Sequence, residues 1–520
     1  MTEPHRAASL PSLRPLYRAE QVRELDRRTI AGGIDGFALM QRAASAAWQS
    51  LLTRWPDVRR LTVLCGGGNN GGDGHVLAAL AAAAGLHVQR IALKMPEALD
   101  GDAARAAEMA DAAGVGLEPW QPGLAFTGEV IVDALLGTGL GGEVRGAMRE
   151  AIAAINASDR PVLAIDIPSG VAADSGAELG VAVRAERTVT FIGDKLGLHT
   201  GRAPSLTGTV DFQPLGVDAS SQRDLLPAAR LLDAELIPAL LPRRARDAHK
   251  GDMGHVLVLG GAPGFGGAAL LASETAARLG AGKVSLATAP EHVTASLVRR
   301  PEVMVHAMRG ATDLGALPEA ADVLVVGPGL GQGAWGQGML QAALAAERPL
   351  VVDADGLNLL AAQWANERHD DWVLTPHPGE AARLLGVSPA EVEADRPAAA
   401  TELQRRRGGV VVLKGAGSLV VSDEGLVVCP YGNPGMASGG MGDALSGMLG
   451  ALIAQGLTPA LAAWVGVVVH ALAADQAAGE RGERGLLAGD LASYARQLVN
   501  PDIPSRAWCR TGSDDACATR

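Results

Sequence analysis

Short apolar runs alternate with stretches of helical spacing along most of this chain. In the first half, apolar runs predict strands at residues 61–65, 87–93, 130–133, 161–166 and 188–192. Such runs are typical of strands that are buried on both faces of a parallel sheet. Apolar residues three and four positions apart predict helices at 18–30, 37–52 and 75–84. The order strand, glycine-rich turn, helix, strand predicts a doubly wound α/β sheet.

The same alternation restarts in the second half, after a polar stretch without strand character. Strands are predicted at residues 255–259, 284–288, 322–326, 350–353, 372–374 and 410–413, with a helix at 268–279 after the first of them. We therefore expect two α/β domains, at residues 17–218 and 228–500, joined by a linker at 219–227. Residues 1–16 are expected to be loose, and 501–520 form a tail outside both domains.

The composition narrows the class of protein. A hydrophobic share of 48% in 520 residues supplies ample core material, although the aromatic share is only 3%. The net charge of −12 argues against nucleic acid or an anionic membrane surface as a partner. No apolar run is expected to reach the roughly 18–20 residues of a membrane span, and no secretory signal pattern is present. Four scattered cysteines suit a reducing compartment, so we expect a cytoplasmic protein.

Polar, glycine-containing loops follow three of the strands predicted for the first half. They are Asn69-Asn70-Gly71-Gly72-Asp73, the stretch from Asp133 to Gly139, and the stretch from Asp166 to Gly170. Ligands of parallel α/β sheets bind beyond the carboxyl ends of the strands, so we expect these loops to form one site. Each aspartate taken alone could be a simple cap. The first loop lacks the G-x-G-x-x-G pattern, so it is not a dinucleotide-binding fingerprint.

A glycine-rich stretch at residues 433–447 is the main candidate for chemistry in the second half. It leads into a predicted helix, whose first turn carries unpaired N–H groups that favour an anion. Asp443 lies at that point and suits a base that takes a proton from an alcohol during phosphoryl transfer. The alternative interpretation is a glycine-rich loop in which Asp443 only caps the helix.

Four further loops of the second half follow predicted strands. Residues 327–331 either supply backbone N–H groups to a ligand or form only a tight turn. Asp353 and Asp355 could hold Mg²⁺ through water, and helix capping would explain one of them. His377 and Glu380 come just after a strand, where a structural role for the histidine is favoured. Residues 414–418 predict a hairpin-like loop that could hold a nucleotide phosphate or sugar. No G-x-x-x-x-G-K-[ST] motif occurs, which excludes a P-loop NTPase.

Taken together, these motifs resemble two known families. Residues 231–499 resemble the nucleotide-dependent NAD(P)H-hydrate dehydratases of the ribokinase-like superfamily, through 249–254, 260–268, 327–331, 353–358, 375–380, 414–418, 439–443 and 485–490. Residues 17–217 resemble the NAD(P)H-hydrate epimerase domain, through 69–73, 133–139, 166–170 and 195–198. The resemblance implies an N-terminal Rossmann-like three-layer α/β/α sandwich and a C-terminal ribokinase-like α/β/α domain.

The resemblance also implies roles for individual residues. In the first domain, Asp166 and Lys195 would face the reacting ring, and a potassium ion would be held by Asn70, Asp133 and Ser169. The hydrated dinucleotide would contact Asn69, Asn70, Gly71, Gly72, Asp73, Gly137, Thr138, Gly139, Leu140, Gly141, Gly142, Glu143 and Asp166. In the second domain, Ala268, Gly329, His377 and Asp443 would contact the substrate, with Asp443 as the catalytic base. The adenine nucleotide would be bound by Lys414, Gly415, Ala416, Gly417, Ser418 and Gly442.

The activity implied by this resemblance is the repair of hydrated NADH and NADPH. The first domain would interconvert the R and S hydrates. The second would dehydrate the S hydrate with ADP as phosphoryl donor and Mg²⁺, releasing AMP and phosphate. A homo-oligomer is expected. The alternative is a small-alcohol or vitamin kinase of the same superfamily, with a non-catalytic binding module at its N-terminus.

Overall fold

Two β-sheets organise the chain. The computed structural model describes residues 12–217 and 223–500, and of Pro96 only the backbone. The predicted tail at 501–520, with Cys509 and Cys517, lies outside the described residues, as do residues 219–222 of the predicted linker. The two-domain α/β architecture predicted from the sequence is confirmed.

The first sheet is entirely parallel, in the order β4-β3-β2-β5-β6-β7-β9. Its strands are β2 (Arg60–Cys65), β3 (His87–Ala92), β4 (Leu117–Pro119), β5 (Val130–Ala134), β6 (Val162–Ile165), β7 (Arg187–Phe191) and β9 (Thr209–Gln213). Helices α1 (Ala19–Ala31), α2 (Gly36–Arg54), α3 (Asn69–Ala83), α4 (Gly101–Ala112) and α5 (Gly146–Ala157) accompany it. Buried apolar side chains cover both faces of the central strands β2, β5 and β6, which explains why these strands are mostly apolar.

Within the described residues the second sheet has twelve strands, in the order β13-β12-β11-β14-β15-β16-β17-β18-β19-β10-β1-β8, where β1 is Arg14–Tyr17 and β8 is Asp194–Lys195. Its own strands are β10 (Ala229–Leu231), β11 (His255–Leu259), β12 (Lys283–Thr288), β13 (Met304–Ala307), β14 (Val323–Val326), β15 (Leu350–Val352), β16 (Trp372–Leu374), β17 (Val410–Leu413), β18 (Ser418–Ser422) and β19 (Gly425–Cys429). In the part of the sheet that runs from β13 to β17 in this order, all neighbouring strands are parallel. Strands β17, β18 and β19 form an antiparallel meander. The hairpin predicted at residues 414–418 is thus confirmed.

Helices pack on both faces of the second sheet. They are α6 (Leu236–Leu240), α7 (Gly266–Arg278), α8 (Val293–Arg299), α9 (Leu317–Ala320), α10 (Ala334–Leu344), α11 (Ala354–Gln363), α12 (Pro378–Leu385), α13 (Pro389–Ala394), α14 (Arg396–Arg407), α15 (Met441–Ala454), α16 (Pro459–Arg481) and α17 (Ala488–Leu498). By length and composition α16 could cross a membrane, so the expectation that no apolar run is long enough is wrong. However, 72% of its most apolar window is buried inside the fold.

Two short strands connect the halves of the molecule. Strand β1 (Arg14–Tyr17) pairs antiparallel with β10, and β8 (Asp194–Lys195) pairs parallel with β1. Residues from the first half therefore extend the sheet of the second half. The expectation that residues 1–16 are loose is wrong for residues 14–16, because their strand exists only through pairing with distant segments.

The polar stretch after β2 also differs from its predicted conformation. Residues 69–73 were expected in a loop with the helix starting near 75, but α3 begins at Asn69 with Gly68 as its N-cap. A β-carbon on Gly71 would lie 2.0 Å from the carbonyl oxygen of Gly66. The glycines therefore let the first turn of the helix pack against the end of the strand.

Candidate active sites

The first candidate site is centred on a buried carboxylate at the end of β5. Oδ2 of Asp133 accepts the backbone N–H of Ser169 at 2.8 Å, and Oδ1 accepts the Ser169 hydroxyl at 2.6 Å. Asn70 donates its side-chain amide to the carbonyl oxygen of Leu136 at 3.0 Å. Burial raises the pKa of Asp133 to about 6, although the bonds from Ser169 act in the opposite direction.

The same group leaves one oxygen without a protein partner. Oδ1 of Asn70 is buried and has no hydrogen bond within the described residues. Unpaired buried amide oxygens are costly, so this atom favours an additional ligand such as a cation. The structure thus brings together Asn70, Asp133 and Ser169, the three residues for which a potassium ion was expected.

A buried lysine lies beside a second carboxylate at the end of β6. The Nζ atom of Lys195 forms an ion pair with Asp166 and donates to the Thr190 hydroxyl at 2.9 Å and to the Phe191 carbonyl at 3.0 Å. Asp166 has a positive φ of 65°, which a non-glycine residue seldom adopts. Residues with such backbone geometry persist only where the surrounding structure holds them, and they cluster at functional sites.

The loop at residues 137–143 borders these groups at one end only. A β-carbon on Gly137 would lie 3.3 Å from Cβ of Asn70 and 3.9 Å from Oδ2 of Asp166. Thr138 follows, and its carbonyl accepts Arg23 of α1 at 3.5 Å. Leu140 packs beside an apolar cluster, while Gly139, Gly141, Gly142 and Glu143 are exposed. The three polar stretches therefore converge as predicted, with the far end of this loop at the surface.

Asp26 is an acidic residue of this site that the sequence analysis missed, and its influence is seen at Asp73. Burial raises the pKa of Asp73 well above its usual value, and the nearby carboxylates of Asp166 and Asp26 raise it further. Asp26 lies on α1, and its own pKa is raised by burial and by Asp166. In the sequence, Asp26 looks like a charge on the solvent face of an amphipathic helix, and no local signal distinguishes it.

The second candidate site lies at the N-terminus of α15. The N-cap is Gly440, with a left-handed φ of 92°, and Asp443 is the third residue of the helix. The alternative interpretation of Asp443 as a cap is therefore wrong. Burial raises the pKa of Asp443 to about 7, and the carboxylates of Asp353 and Asp355 contribute, while Lys414 lowers it. A carboxyl with this pKa can accept a proton near neutral pH.

Lys414 connects three elements of this site. Its Nζ atom lies 2.7 Å from Oδ1 of Asp353, and Oδ2 of Asp353 accepts the Ser446 hydroxyl at 2.7 Å. A β-carbon on Gly442 would lie 3.1 Å from Nζ of Lys414. Burial alone would lower the pKa of Lys414, but attraction by Asp353 and Glu380 raises it, so the ammonium stays charged beside the helix start.

The loop of residues 327–331 and the start of α7 lie beside each other near this network. A β-carbon on Gly329 would lie 3.3 Å from Cβ of Ala268, so these two predicted pocket residues are neighbours. The backbone N–H of Gly331 donates to Asp355 at 3.0 Å. Ala268, Gly329, Asp353, Lys414, Gly442 and Asp443 are thus connected through contacts in one region, as the motifs predicted.

His377 has a structural role as well as a place near the site. It is the N-cap of α12, and its Nδ1 atom accepts the backbone N–H groups of Gly379 at 3.0 Å and Glu380 at 3.4 Å. Burial lowers the pKa of His377, and Lys414 lowers it further, which keeps the ring neutral. Its other nitrogen, Nε2, lies 3.5 Å from Oε1 of Glu380, and the side chain is half exposed. Burial raises the pKa of Glu380 to about 7.

The carboxylates expected to hold Mg²⁺ already have protein partners. Within residues 12–217 and 223–500, no group of three or more His, Cys, Asp or Glu side chains is arranged to hold a metal ion. Asp353 is occupied by Lys414 and Ser446, and Asp355 by Gly331 and Gln332. These carboxylates therefore do not fit a protein-only Mg²⁺ cage, whereas Mg²⁺ commonly binds chiefly to waters and substrate phosphates.

The fold and these two sites define a two-domain α/β enzyme. A family model described as NAD(P)H-hydrate dehydratase matches residues 256–497, and one described as YjeF-related protein N-terminus matches residues 36–197. The bifunctional NAD(P)H-hydrate repair enzyme Nnr of Coxiella burnetii is 51% identical over 487 residues, covering 94% of this chain and 99% of the relative. The enzyme of the same name from Escherichia coli is 43% identical, covering 94% and 95%. This chain belongs to the family of bifunctional NAD(P)H-hydrate repair enzymes.

Among solved structures, the ADP/ATP-dependent NAD(P)H-hydrate dehydratase of Bacillus subtilis, co-crystallised with ATP and Mg²⁺, is 29% identical. It covers 52% of this chain and 97% of its own, with a TM-score of 0.47. The family predicted from the motifs is confirmed by the relatives that match nearly the whole chain.

Proposed function

We propose that this protein repairs hydrated NADH and NADPH in two steps. A domain at residues 17–218 interconverts the R and S hydrates, and a domain at 228–500 converts the S hydrate to NAD(P)H with ADP as phosphoryl donor. The observation that carries the second activity is Asp443, with a pKa of about 7 beside Lys414 at a helix N-terminus. The near-complete match to bifunctional repair enzymes favours this reaction over a vitamin kinase.

In the dehydratase step, Asp443 accepts the proton of the hydroxyl on carbon 6 of the hydrated ring. The freed oxygen attacks the terminal phosphorus of ADP, and AMP leaves. The lone pair of the ring nitrogen then expels phosphate, and loss of a proton from carbon 5 restores the dihydropyridine. Lys414, Gly415, Ala416, Gly417, Ser418 and the N–H group of Gly442 hold the nucleotide, while Ala268, Gly329 and His377 face the hydrate.

In the epimerase step, the ring nitrogen expels the hydroxyl of carbon 6 as water, and water adds back to the other face of the iminium. Asp166 and Lys195 lie side by side and serve as proton acceptor and donor in this exchange. The hydrated dinucleotide is held by residues 69–73 and 137–143, with Asp73 as the buried acidic member.

A potassium ion fits the first site. Asn70, Asp133 and Ser169 would hold it, and it would supply positive charge close to the phosphates of the dinucleotide. Its binding would satisfy the unpaired Oδ1 of Asn70. Replacing K⁺ by tetramethylammonium is expected to lower epimerisation, whereas equal epimerisation in both salts would contradict the assignment.

Mg²⁺ would enter the second site with the phosphates of ADP and neutralise part of their charge. The partners of the protein are then ADP and the two hydrates, without nucleic acid or membrane. We place the enzyme in the cytoplasm and expect a homo-oligomer.

The test is direct. Hydrated NADH is mixed with the protein and ADP, and the absorbance of reduced nicotinamide is recorded. Complete recovery from an R and S mixture is expected with the wild type, and recovery about 100-fold slower or more with Asp443→Asn. Accumulation of a phosphorylated ring without recovered NADH would instead identify a kinase.

A further inference from the structure

A short segment of the first domain lies directly against the nucleotide hairpin of the second. After β8 the chain forms a 3-10 turn, Leu196–His199, and reaches Thr200, which is completely buried. On one side, a β-carbon on Gly176 would lie 2.0 Å from the carbonyl oxygen of Thr200. On the other side, a β-carbon on Gly417 would lie 1.8 Å from the carbonyl oxygen of His199. The segment is therefore packed between its own domain and the hairpin.

The Thr200 hydroxyl connects the two domains through defined hydrogen bonds. It donates to the carbonyl oxygen of Gly417 at 3.0 Å and accepts Nε of Arg396 at 3.4 Å. The guanidinium of Arg396 also donates to the carbonyl oxygens of Leu413 at 3.3 Å and Lys414 at 3.2 Å. Thr200 and Arg396 thus hold both ends of the hairpin backbone from one buried point.

Inside the turn of the hairpin, the Ser418 hydroxyl accepts the backbone N–H of Gly415 at 3.3 Å and donates to its carbonyl oxygen at 3.0 Å. Gly415 and Ala416 are exposed, while Gly417 is buried against the first domain with a left-handed φ of 61°. A loop that binds phosphate through backbone N–H groups must hold them in a fixed direction, since misplaced groups lose affinity and rate. The contact with the first domain is therefore placed where it can fix the conformation of the turn.

We infer that Thr200, a residue of the epimerase domain, is a positioning residue for the adenine nucleotide in the dehydratase domain. This inference rests on the proposed function, in which residues 414–418 bind ADP. The hydroxyl holds the carbonyl of Gly417 and the guanidinium of Arg396 together, and so keeps the hairpin in its binding conformation. A dehydratase site completed by the neighbouring domain is a reason for the two activities to share one chain.

The inference predicts a selective defect. Without the hydroxyl, two buried polar groups lose a partner and the hairpin spends part of its time in other conformations. The apparent affinity for ADP falls in proportion to the competent fraction, and we expect the KM for ADP to rise about tenfold. At saturating ADP, kcat stays within about twofold of the wild type, because Asp443 and the hydrate pocket are untouched.

The experiment compares three variants of the full chain. Thr200→Val removes the hydroxyl at nearly constant volume, whereas Thr200→Ser keeps the hydroxyl and removes the methyl group. Thr188→Val is the matched control, because the Thr188 hydroxyl is also buried and donates to a carbonyl at 2.7 Å, but within the first domain. For each variant, ADP binding is measured by calorimetry, and KM for ADP, kcat and the epimerisation rate are measured alongside. Hydrogen exchange of residues 414–418 reports the hairpin itself.

The expected result is weaker ADP binding and faster exchange of the hairpin in Thr200→Val only, with wild-type epimerisation in all three variants. Equal ADP binding by Thr200→Val and wild type would overturn the inference. Failure of the wild type to bind ADP would instead overturn the proposed function, so the two outcomes are distinguishable. If Thr200→Val does not fold, Thr200→Ala removes the same hydroxyl without an added methyl group and is judged by the same measurements.

Discussion

The ammonium group of Lys414 lies 2.7 Å from a carboxylate oxygen of Asp353, and a β-carbon on Gly442 would almost touch it. This relationship joins the end of β15, the end of β17 and the start of α15 at a single charged atom. Burial of Asp353 by itself would raise the pKa of its carboxyl. The attraction of Lys414 outweighs this effect, so the pKa is lowered. The pair fixes a positive charge where the phosphates of a nucleotide would lie.

Removing the charge of Asp353 should disturb both stability and dehydration. In Asp353→Asn the ammonium of Lys414 loses the closer of its two carboxylate partners and keeps Glu380 at 3.9 Å. Removal of one partner from a buried ion pair typically costs about 3–5 kcal/mol. We expect a lower Tm and at least a roughly tenfold loss in kcat/KM for dehydration, since Lys414 is no longer held. Ser446→Ala is the control, because it keeps the ion pair and removes a hydrogen bond to the same carboxylate, which is worth about 1.5–3 kcal/mol. Equal behaviour of both variants would argue against the ion pair as the organising contact.

Asp443→Asn should separate chemistry from binding. The amide cannot accept the hydroxyl proton, so kcat for dehydration should fall about 100-fold or more while ADP binding is retained. Steady-state kinetics and calorimetry measure the two quantities. A variant that turns over normally would show that another group removes the proton.

The pH dependence of dehydration should report the same carboxyl. Its pKa of about 7 means that the ionised base is lost as the pH falls, so kcat/KM should decrease about tenfold per unit below pH 7. Glu380 has a similar pKa and lies close by, so Glu380→Gln serves as control. If Glu380→Gln abolishes the inflection, the titrating group is Glu380 and not Asp443.

The raised pKa of Asp443 also predicts a pH-dependent cost in stability. The folded protein holds this proton up to about pH 7, whereas the unfolded chain releases it near the ordinary value of 3.8. Stability is therefore lost as the pH rises between these values. Asp443→Asn should raise Tm by roughly 2–6 °C at pH 8 and by less at pH 5. A gain that is larger at pH 5 would contradict the assigned direction of the shift.

Lys195→Met should affect the other activity alone. The variant removes the ammonium beside Asp166, and we expect epimerisation to fall about 100-fold or more. Dehydration of pure S hydrate should continue, so NADH recovery from an R and S mixture should stop once the S form is consumed. Asp443→Asn provides the reciprocal control, with epimerisation retained and dehydration lost. Complete recovery of NADH by Lys195→Met would exclude this lysine from the reaction.

The local pattern of the chain determined the elements and most of the chemistry-bearing loops. Buried apolar runs specified most of the parallel strands, because a strand covered on both faces needs apolar residues at nearly every position. The parallel strands β4, β9 and β13 were not predicted. Glycine and aspartate after those runs pointed to Asp166, because ligands bind at the carboxyl edge of such sheets. The glycine-rich stretch before a helix pointed to Asp443, because a helix N-terminus favours an anion. The start of α3 at Asn69 was missed, since the glycines there serve close packing and look like a loop in the sequence.

Tertiary structure alone decided the rest. Asp26 reaches the first site only because α1 lies beside the loops of that site, where Arg23 donates to the carbonyl oxygen of Thr138. Arg14–Tyr17 is a strand only because β10 and β8 lie beside it. Thr200 meets Gly417 across a sequence separation of 217 residues. Side-chain periodicity reports the burial of a residue within its own element, whereas pKa shifts, ion pairs and domain contacts depend on which distant elements are neighbours. The sequence by itself therefore determined the class of site, and the fold decided which residues complete it.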